Sequence, residues 1–238
     1  MDDGAQSEDE SLEMARMATN QGMVAVFATP HIVRGSYDTE PSTIRQATER
    51  LAECARNAGL PLLLYPGAEN HPAPDLVENC RLGKVMTLGG SKYVLVEAPG
   101  AELPWSFEKI LFNLMVGGFH PVLAHPERNP TLNRDSPRLL SIFRTGVILQ
   151  VNARSLTGFY GSRVQASAER IVRECLAGLI GSDAHQPRDY EGLRRVRDHV
   201  RALGGDRAVA AIVQNEEALM EAVSEAAARF TGLPSPRR

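Results

Sequence analysis

Short apolar runs alternate with helical patterns along almost the whole chain, and this alternation limits the fold more than any other feature. Met23–Thr29 is a continuous apolar run, the mark of a strand buried on both faces. Pro61–Tyr65, Tyr93–Glu97, Pro121–Ala124, Val147–Val151 and Leu179–Ser182 read as further strands. Helical patterns lie between them, over Ser42–Ala58, Ser106–Val116, Pro137–Thr145 and Ala166–Leu176, and another runs from Tyr190 nearly to Phe230. A first helix opens at Ser7, whose spacing to Glu10 suits a capping box, and closes at Gly22. Strands separated by helices predict parallel β/α units with right-handed crossovers, in a barrel or an open doubly wound sheet.

The residues at the strand ends favour the barrel. His31 follows the first run, Glu69 the second, and Glu97 ends the third. His125-Pro126-Glu127-Arg128 follows the fourth, and Asp183-Ala184-His185 follows the last. In a β/α barrel all these ends meet on one face. Carboxylates packed together repel one another unless a cation lies between them. Imidazole mixed with carboxylate suits zinc, manganese or iron better than calcium or magnesium. Two or three such ions can clamp a phosphoryl displacement.

Each residue alone has a duller explanation, as a loop histidine or a solvated carboxylate; the combined pattern argues against it. His120 precedes a strand, His199 lies among helix arginines and His71 lies beyond its strand, so none joins the set. Arg128 and Arg188 each stand three residues after a candidate ligand histidine, where a guanidinium can grip phosphate oxygens. Gly89-Gly90-Ser91-Lys92 lacks the phosphate-loop spacing and precedes a strand, which removes it.

Bulk properties narrow the partners. Net charge is −3 over 238 residues, which gives no electrostatic support to nucleic-acid binding. No run of apolar residues is long enough to insert into a membrane. Met1–Glu10 is acidic, the reverse of a signal peptide, so a cytoplasmic protein is expected. Cys54, Cys80 and Cys175 are scattered, which argues against a disulfide or zinc framework; Cys54 and Cys175 read as small buried thiols in helices. One domain is expected over Met1–Arg238, with Thr231–Arg238 as a frayed tail.

Several stretches together are familiar: Asp2-Asp3-Gly4-Ala5, Ala28-Thr29-Pro30-His31, Gly67-Ala68-Glu69, Ser91–Glu97, Ala124–Arg128 and Ser182-Asp183-Ala184-His185. They resemble the polymerase and histidinol phosphatase (PHP) superfamily. Within it, the chain is similar to the bacterial protein-tyrosine phosphatases of capsule and exopolysaccharide synthesis, over nearly its whole length. The resemblance implies an α/β fold, a distorted seven-stranded TIM-like barrel. It implies a site for up to three divalent ions, often manganese, and phosphotyrosine hydrolysis by a metal-activated hydroxide. The implied partner is the phosphotyrosine-bearing tail of a bacterial tyrosine kinase. By position, Asp3, His31 and His185 would share one ion, and Glu69, Glu97 and His125 a second. Glu69 and Asp183 would contribute to a third, and Arg128 and Arg188 would bind the phosphoryl group. No HCxxxxxR signature of cysteine phosphatases is present.

The resemblance breaks at one place. Members of that branch carry a strand ending in DxHxH just ahead of the Asp2-Asp3-Gly4 stretch, whereas this sequence opens at Met1. The first barrel strand is therefore expected to be absent and fewer ions to be held. Either a start lies upstream of Met1 or the protein is shortened and weakly active; the intact remaining motifs favour the first. Two other functions stay open: a different phosphoesterase of the superfamily, such as a histidinol-phosphate phosphatase, and a non-catalytic protein that holds the kinase tail.

Overall fold

A computed structural model describes residues 2–100, 103–134 and 136–231. The first helix, α1, spans Glu8–Asn20. Ser7 caps it, its hydroxyl accepting the Glu10 amide at 3.1 Å. The Glu10 carboxylate reaches past Ser7 to the Gln6 amide at 2.8 Å, so the capping box is offset by one residue. Gly22 takes φ +86°, the left-handed turn that ends such a helix without steric cost.

Each of the first two apolar runs gives one strand and is followed, past a short break, by a second strand of two residues. Met23–Thr29 gives β1, Ala25–Ala28, and after Thr29-Pro30 the chain resumes as β2, His31–Ile32. Helix α2, Pro41–Asn57, leads to β3, Leu63–Pro66, and after Gly67-Ala68 comes β4, Glu69–Asn70. Helix α3, Leu76–Arg81, precedes β5, Tyr93–Glu97. Then follow α4, Phe107–Val116; β6, His120–Ala124; α5, Pro130–Arg134; and α6, Ser136–Arg144. The remaining elements are β7, Ile148–Asn152; α7, Ala153–Leu156; α8, Ser162–Arg173; β8, Ala177–Gly181; and α9, Val196–Thr231. The fold is mixed α/β with parallel sheets: β1 pairs with β3, and a six-stranded sheet runs β2-β4-β5-β6-β7-β8.

Strands β5 to β8 alternate between two buried faces. Tyr93, Leu95, Val122, Ala124 and Leu179 form one cluster, closed by Leu219 and Val223 of α9. Val94, Val96, Leu123, Leu149 and Val151 point the other way and pack with Phe107, Leu111, Leu114 and Ile171 of the covering helices. Full burial of such a side chain contributes roughly 1.5–3 kcal/mol, which makes these strands the stable part of the molecule.

Several expectations need correction. The Met23–Thr29 run is not buried on both faces: every β1 residue is half-buried and Val24 is 71% exposed. Strand β1 has a neighbour on one side only among the described residues, and it opens onto a groove of about 470 Å³ lined by α1, α2 and the Ser182–His185 loop. Cys175 is not helical but sits in a turn at φ +55°. Cys54 is only half-buried and its thiol donates to Glu8 Oε1 at 3.1 Å. The helix expected from Tyr190 begins as two 3-10 turns, Pro187–Tyr190 and Leu193–Arg195, and α9 itself breaks at Gly205, φ +68°. His120 starts β6 rather than preceding it, and packs on Tyr93 with ring centroids 5.0 Å apart. Of the tail expected to fray, residues 232–238 lie outside the described residues. Among the described residues, no helix is long and apolar enough to cross a membrane.

Candidate metal centre

The strand breaks position the first two ligand-type side chains. After Thr29-Pro30 and Gly67-Ala68, His31 and Glu69 stand in register as partners across β2 and β4. Gly67 is closely packed: a Cβ there would crowd Leu88 at 3.0 Å and Thr29 at 3.2 Å, and these side chains would have to give. Glu97 ends β5. His125 and Asp183 each follow a strand and hold φ of +29° and +49°, a region that non-glycine residues enter at a cost and that concentrates at functional sites.

Seven side chains then converge in three overlapping groups: Asp3, His31 and His185; His31, Glu69 and Glu97; Glu69, His125 and Asp183. Within each group the candidate donor atoms lie within 4.8 Å of one another. Asp3 Oδ1 is 3.8 Å from His31 Nε2 and 3.5 Å from His185 Nε2. His31 Nδ1 is 3.8 Å from Glu97 Oε2. His125 Nε2 lies 3.0 Å from Glu69 Oε1 and 4.0 Å from Glu97 Oε1. The Asp183 carbonyl lies 2.9 Å from His185 Nδ1, which assigns the proton there and leaves Nε2 facing Asp3.

Burial and crowding set the electrostatics. Burial pushes the Glu97 carboxyl up, and the neighbouring Glu69 charge pushes it further. Burial also raises Glu69, but the His125 hydrogen bond and the charges of His125, His31 and Arg128 bring it below its usual range. Burial pulls His125 down, yet its bond to Glu69 more than offsets this and lifts it to about 9. Carboxylates this close need positive charge, and divalent ions supply it. The mixture of imidazole nitrogens and carboxylate oxygens fits first-row transition ions, so the residues present suit a metal centre.

Arg128 borders the centre. It pairs with Asp183 and its guanidinium lies 4.4 Å over the Tyr160 ring. Asn152, which the sequence reading missed, is nearly inaccessible and joins three parts of the site. Its Nδ2 donates to Asp183 Oδ2 at 2.8 Å, its amide donates to Glu127 Oε1 at 2.9 Å, and its Oδ1 caps α7 by accepting from Arg154 N at 2.8 Å. Glu127 is fully buried, and burial pushes its carboxyl up. The available signal was position: Asn152 ends a strand, as the expected ligands do.

Arg188 is exposed and lines neither the groove nor the pocket around the ligand-type residues. The buried neighbour is Asp189. It accepts from Arg154 Nη1 at 2.6 Å and from the His185 amide at 3.0 Å, and so anchors the loop that carries His185. His71 and His199 are exposed and stand apart from the three groups.

A parallel α/β scaffold gathers imidazoles and carboxylates at its strand ends, beside an arginine, in three overlapping groups that could hold metal ions. The chain belongs to the capsular polysaccharide synthesis CpsB/CapC family, whose profile matches residues 1–221. Tyrosine-protein phosphatase YwqE of Bacillus subtilis (strain 168) is 34% identical over 185 residues, covering 78% of this chain and 73% of that protein. Tyrosine-protein phosphatase CpsB of Streptococcus pneumoniae is 26% identical over 193 residues, covering 78% of each. A crystal structure from work on these two proteins, described as unique metal-dependent tyrosine phosphatases, superposes with a TM-score of 0.87 at 30% identity. It covers 93% of this chain and 90% of the other.

Proposed function

We propose that the chain is a metal-dependent phosphotyrosine-protein phosphatase of capsule or exopolysaccharide synthesis, acting in the cytoplasm on the tail of a tyrosine kinase. The observation that carries this reading is the convergence of seven ligand-type side chains with Arg128 at their edge. Divalent ions bound there, manganese by preference, would neutralise the packed carboxylates, polarise the phosphoryl oxygens and lower the pKa of water. Arg128 would turn from Asp183 to the phosphoryl oxygens, with Tyr160 supporting its guanidinium plane. Asn152 would hold Asp183 in place during that exchange. Arg188 lies outside both cavities and would have to swing inward to join Arg128 on the phosphoryl group. Cys80 and Cys54 are poorly suited to attack phosphorus: burial pushes the Cys80 thiol up to about 12, and the Glu8 hydrogen bond raises Cys54.

We read the chain as one domain and its two sheets as parts of a single distorted barrel of the PHP type. The place of that barrel's first strand would be the groove between β1 and the end of β8. Support comes from the unpaired edges of β1 and β8 among the described residues.

The test compares a phosphotyrosine peptide with histidinol phosphate on the full chain. A chelator should abolish peptide hydrolysis, manganese should restore it and iodoacetamide should leave it intact. Faster turnover of histidinol phosphate would replace the substrate, and chelator-resistant turnover would refute the metal chemistry.

A further inference from the structure

The pocket that the ligand-type residues enclose, about 200 Å³, is lined almost entirely by charged or titratable side chains. Val33 is the exception, and Tyr37 adds a phenol ring beside it. Both stand on the short turn that follows β2. We infer that Tyr37, seated beside Val33, is a specificity-determining residue that receives the aryl ring of an aryl phosphate ester. This rests on the phosphatase reading for its biological meaning, though its chemistry stands on the pocket alone.

The turn is built to hold that ring. Val33 and Tyr37 bridge each other as an antiparallel pair, with N–H···O distances of 3.1 and 2.8 Å, and the Ser36 amide donates to Val33 O at 2.9 Å. Gly35 sits at φ +81°, a conformation that other residues enter at a cost. Its amide is held by both oxygens of Asp38, at 2.9 and 3.0 Å. Arg34 ties the turn to Asp75 at 3.2 Å. The Tyr37 ring lies nearly parallel to the His31 imidazole, 21° off, with centroids 5.8 Å apart. The turn's backbone is therefore held so that the ring stands alongside a candidate ligand.

The physical consequence is selectivity by ester group. Arginine and the metal-type residues read the phosphoryl group and are indifferent to what it is esterified to. An aromatic wall adds contact only when the ester carries a ring, and aromatic pairs prefer the offset or edge-on approach that a flat wall permits. In an aryl phosphate the ring is bonded directly to the ester oxygen, so it cannot avoid the pocket mouth. The methylene of a phosphoserine is too small to cover the same wall.

Binding of non-hydrolysable phosphonates tests this without relying on turnover. Calorimetry on the manganese-supplemented full chain compares phenylphosphonate, methylphosphonate and inorganic phosphate. Phenylphosphonate should bind about tenfold tighter than methylphosphonate, the scale of one favourable aromatic pair. Tyr37→Ala should erase that ratio, Tyr37→Phe should keep it, and Tyr37→Leu should fall between; elemental analysis and circular dichroism establish that each variant is folded and loaded. Equal affinities in the unsubstituted protein overturn the inference, as does an unchanged ratio in Tyr37→Ala. A Tyr37→Ala variant that loses inorganic phosphate and phenylphosphonate equally overturns it too, because the residue then only supports His31. Failure of the phosphatase reading shows separately, as absence of phosphomonoester hydrolysis while the phenylphosphonate preference persists.

Discussion

Strands β5–β8 and strands β1–β4 serve the same centre from different footing. The first set is continuous, paired over most of its length and buried on both faces. The second set is cut into pieces of two and four residues, and β1 is half-buried beside an open groove. Yet His31 and Glu69 come from the broken strands, whereas Glu97, His125 and Asp183 come from the ends of the continuous ones. The difference teaches that the centre is assembled across a stability gradient: one half presents ligands from a packed wall, the other from short segments held mainly by register.

Substitutions in the two halves should break or sharpen this contrast. Leu149→Ala in β7, at a side chain fully removed from solvent, should cost about 2–5 kcal/mol in denaturant unfolding. Val26→Ala in β1 should cost less than about 1.5 kcal/mol, because its side chain already borders open space. Equal costs would dissolve the gradient. Arg128→Ala tests the rigid half's contribution to chemistry. Turnover of a phosphotyrosine peptide should fall about a hundredfold with the fold intact, the scale for one lost transition-state donor. Arg128→Lys should recover only part, since a point charge lacks the fork.

Asn152→Ala removes the α7 cap and the bond to Asp183 together, and should cost about 1–2 kcal/mol of stability. Asn152→Asp keeps a capping oxygen but sets a negative charge against Asp183, so it should spare the cap and weaken metal uptake, read by elemental analysis. The smallest effect is pH-dependent and joins the halves through the His125–Glu69 pair. Burial alone would lower His125, but Glu69 lifts it from its ordinary 6.5 to about 9. A raised histidine contributes stability that is fully present below pH 6.5 and lost as pH rises through about 9. The melting temperature of the chelated protein should fall across that window, and Glu69→Gln should flatten the slope.

The same gradient decided what could be read from the residues. Tyr93–Glu97 was legible to the residue because a strand buried on both faces is apolar throughout. Strands β2 and β4, two residues each, are too short to show any period, and they form only because β1 and β3 aim the chain past a proline and a glycine. Met23–Thr29 misled because apolar character persists through Val24 although that residue faces solvent. His125 and Asp183 could be named from their neighbours, but their left-handed backbone could not. Tyr37 and Asn152 escaped because neither residue type is diagnostic of a site; their meaning comes from the ring, turn and cap that surround them.

The contact between α9 and the Leu88–Gly90 turn has a consequence for how the molecule is made. A side chain at Gly89 would meet the Val223 side chain at 2.9 Å, so Val223 packs directly on the bare backbone of the turn. Leu219 and Val223 close the apolar cluster whose other members lie on β5, β6, β8 and, through Leu88, the turn itself. These partners are far apart in sequence, and the helix leaves the ribosome after the strands it covers. Until it docks, Leu95, Val122 and Leu179 keep an apolar face uncovered, the kind of transient surface that invites chaperone capture or self-association during synthesis.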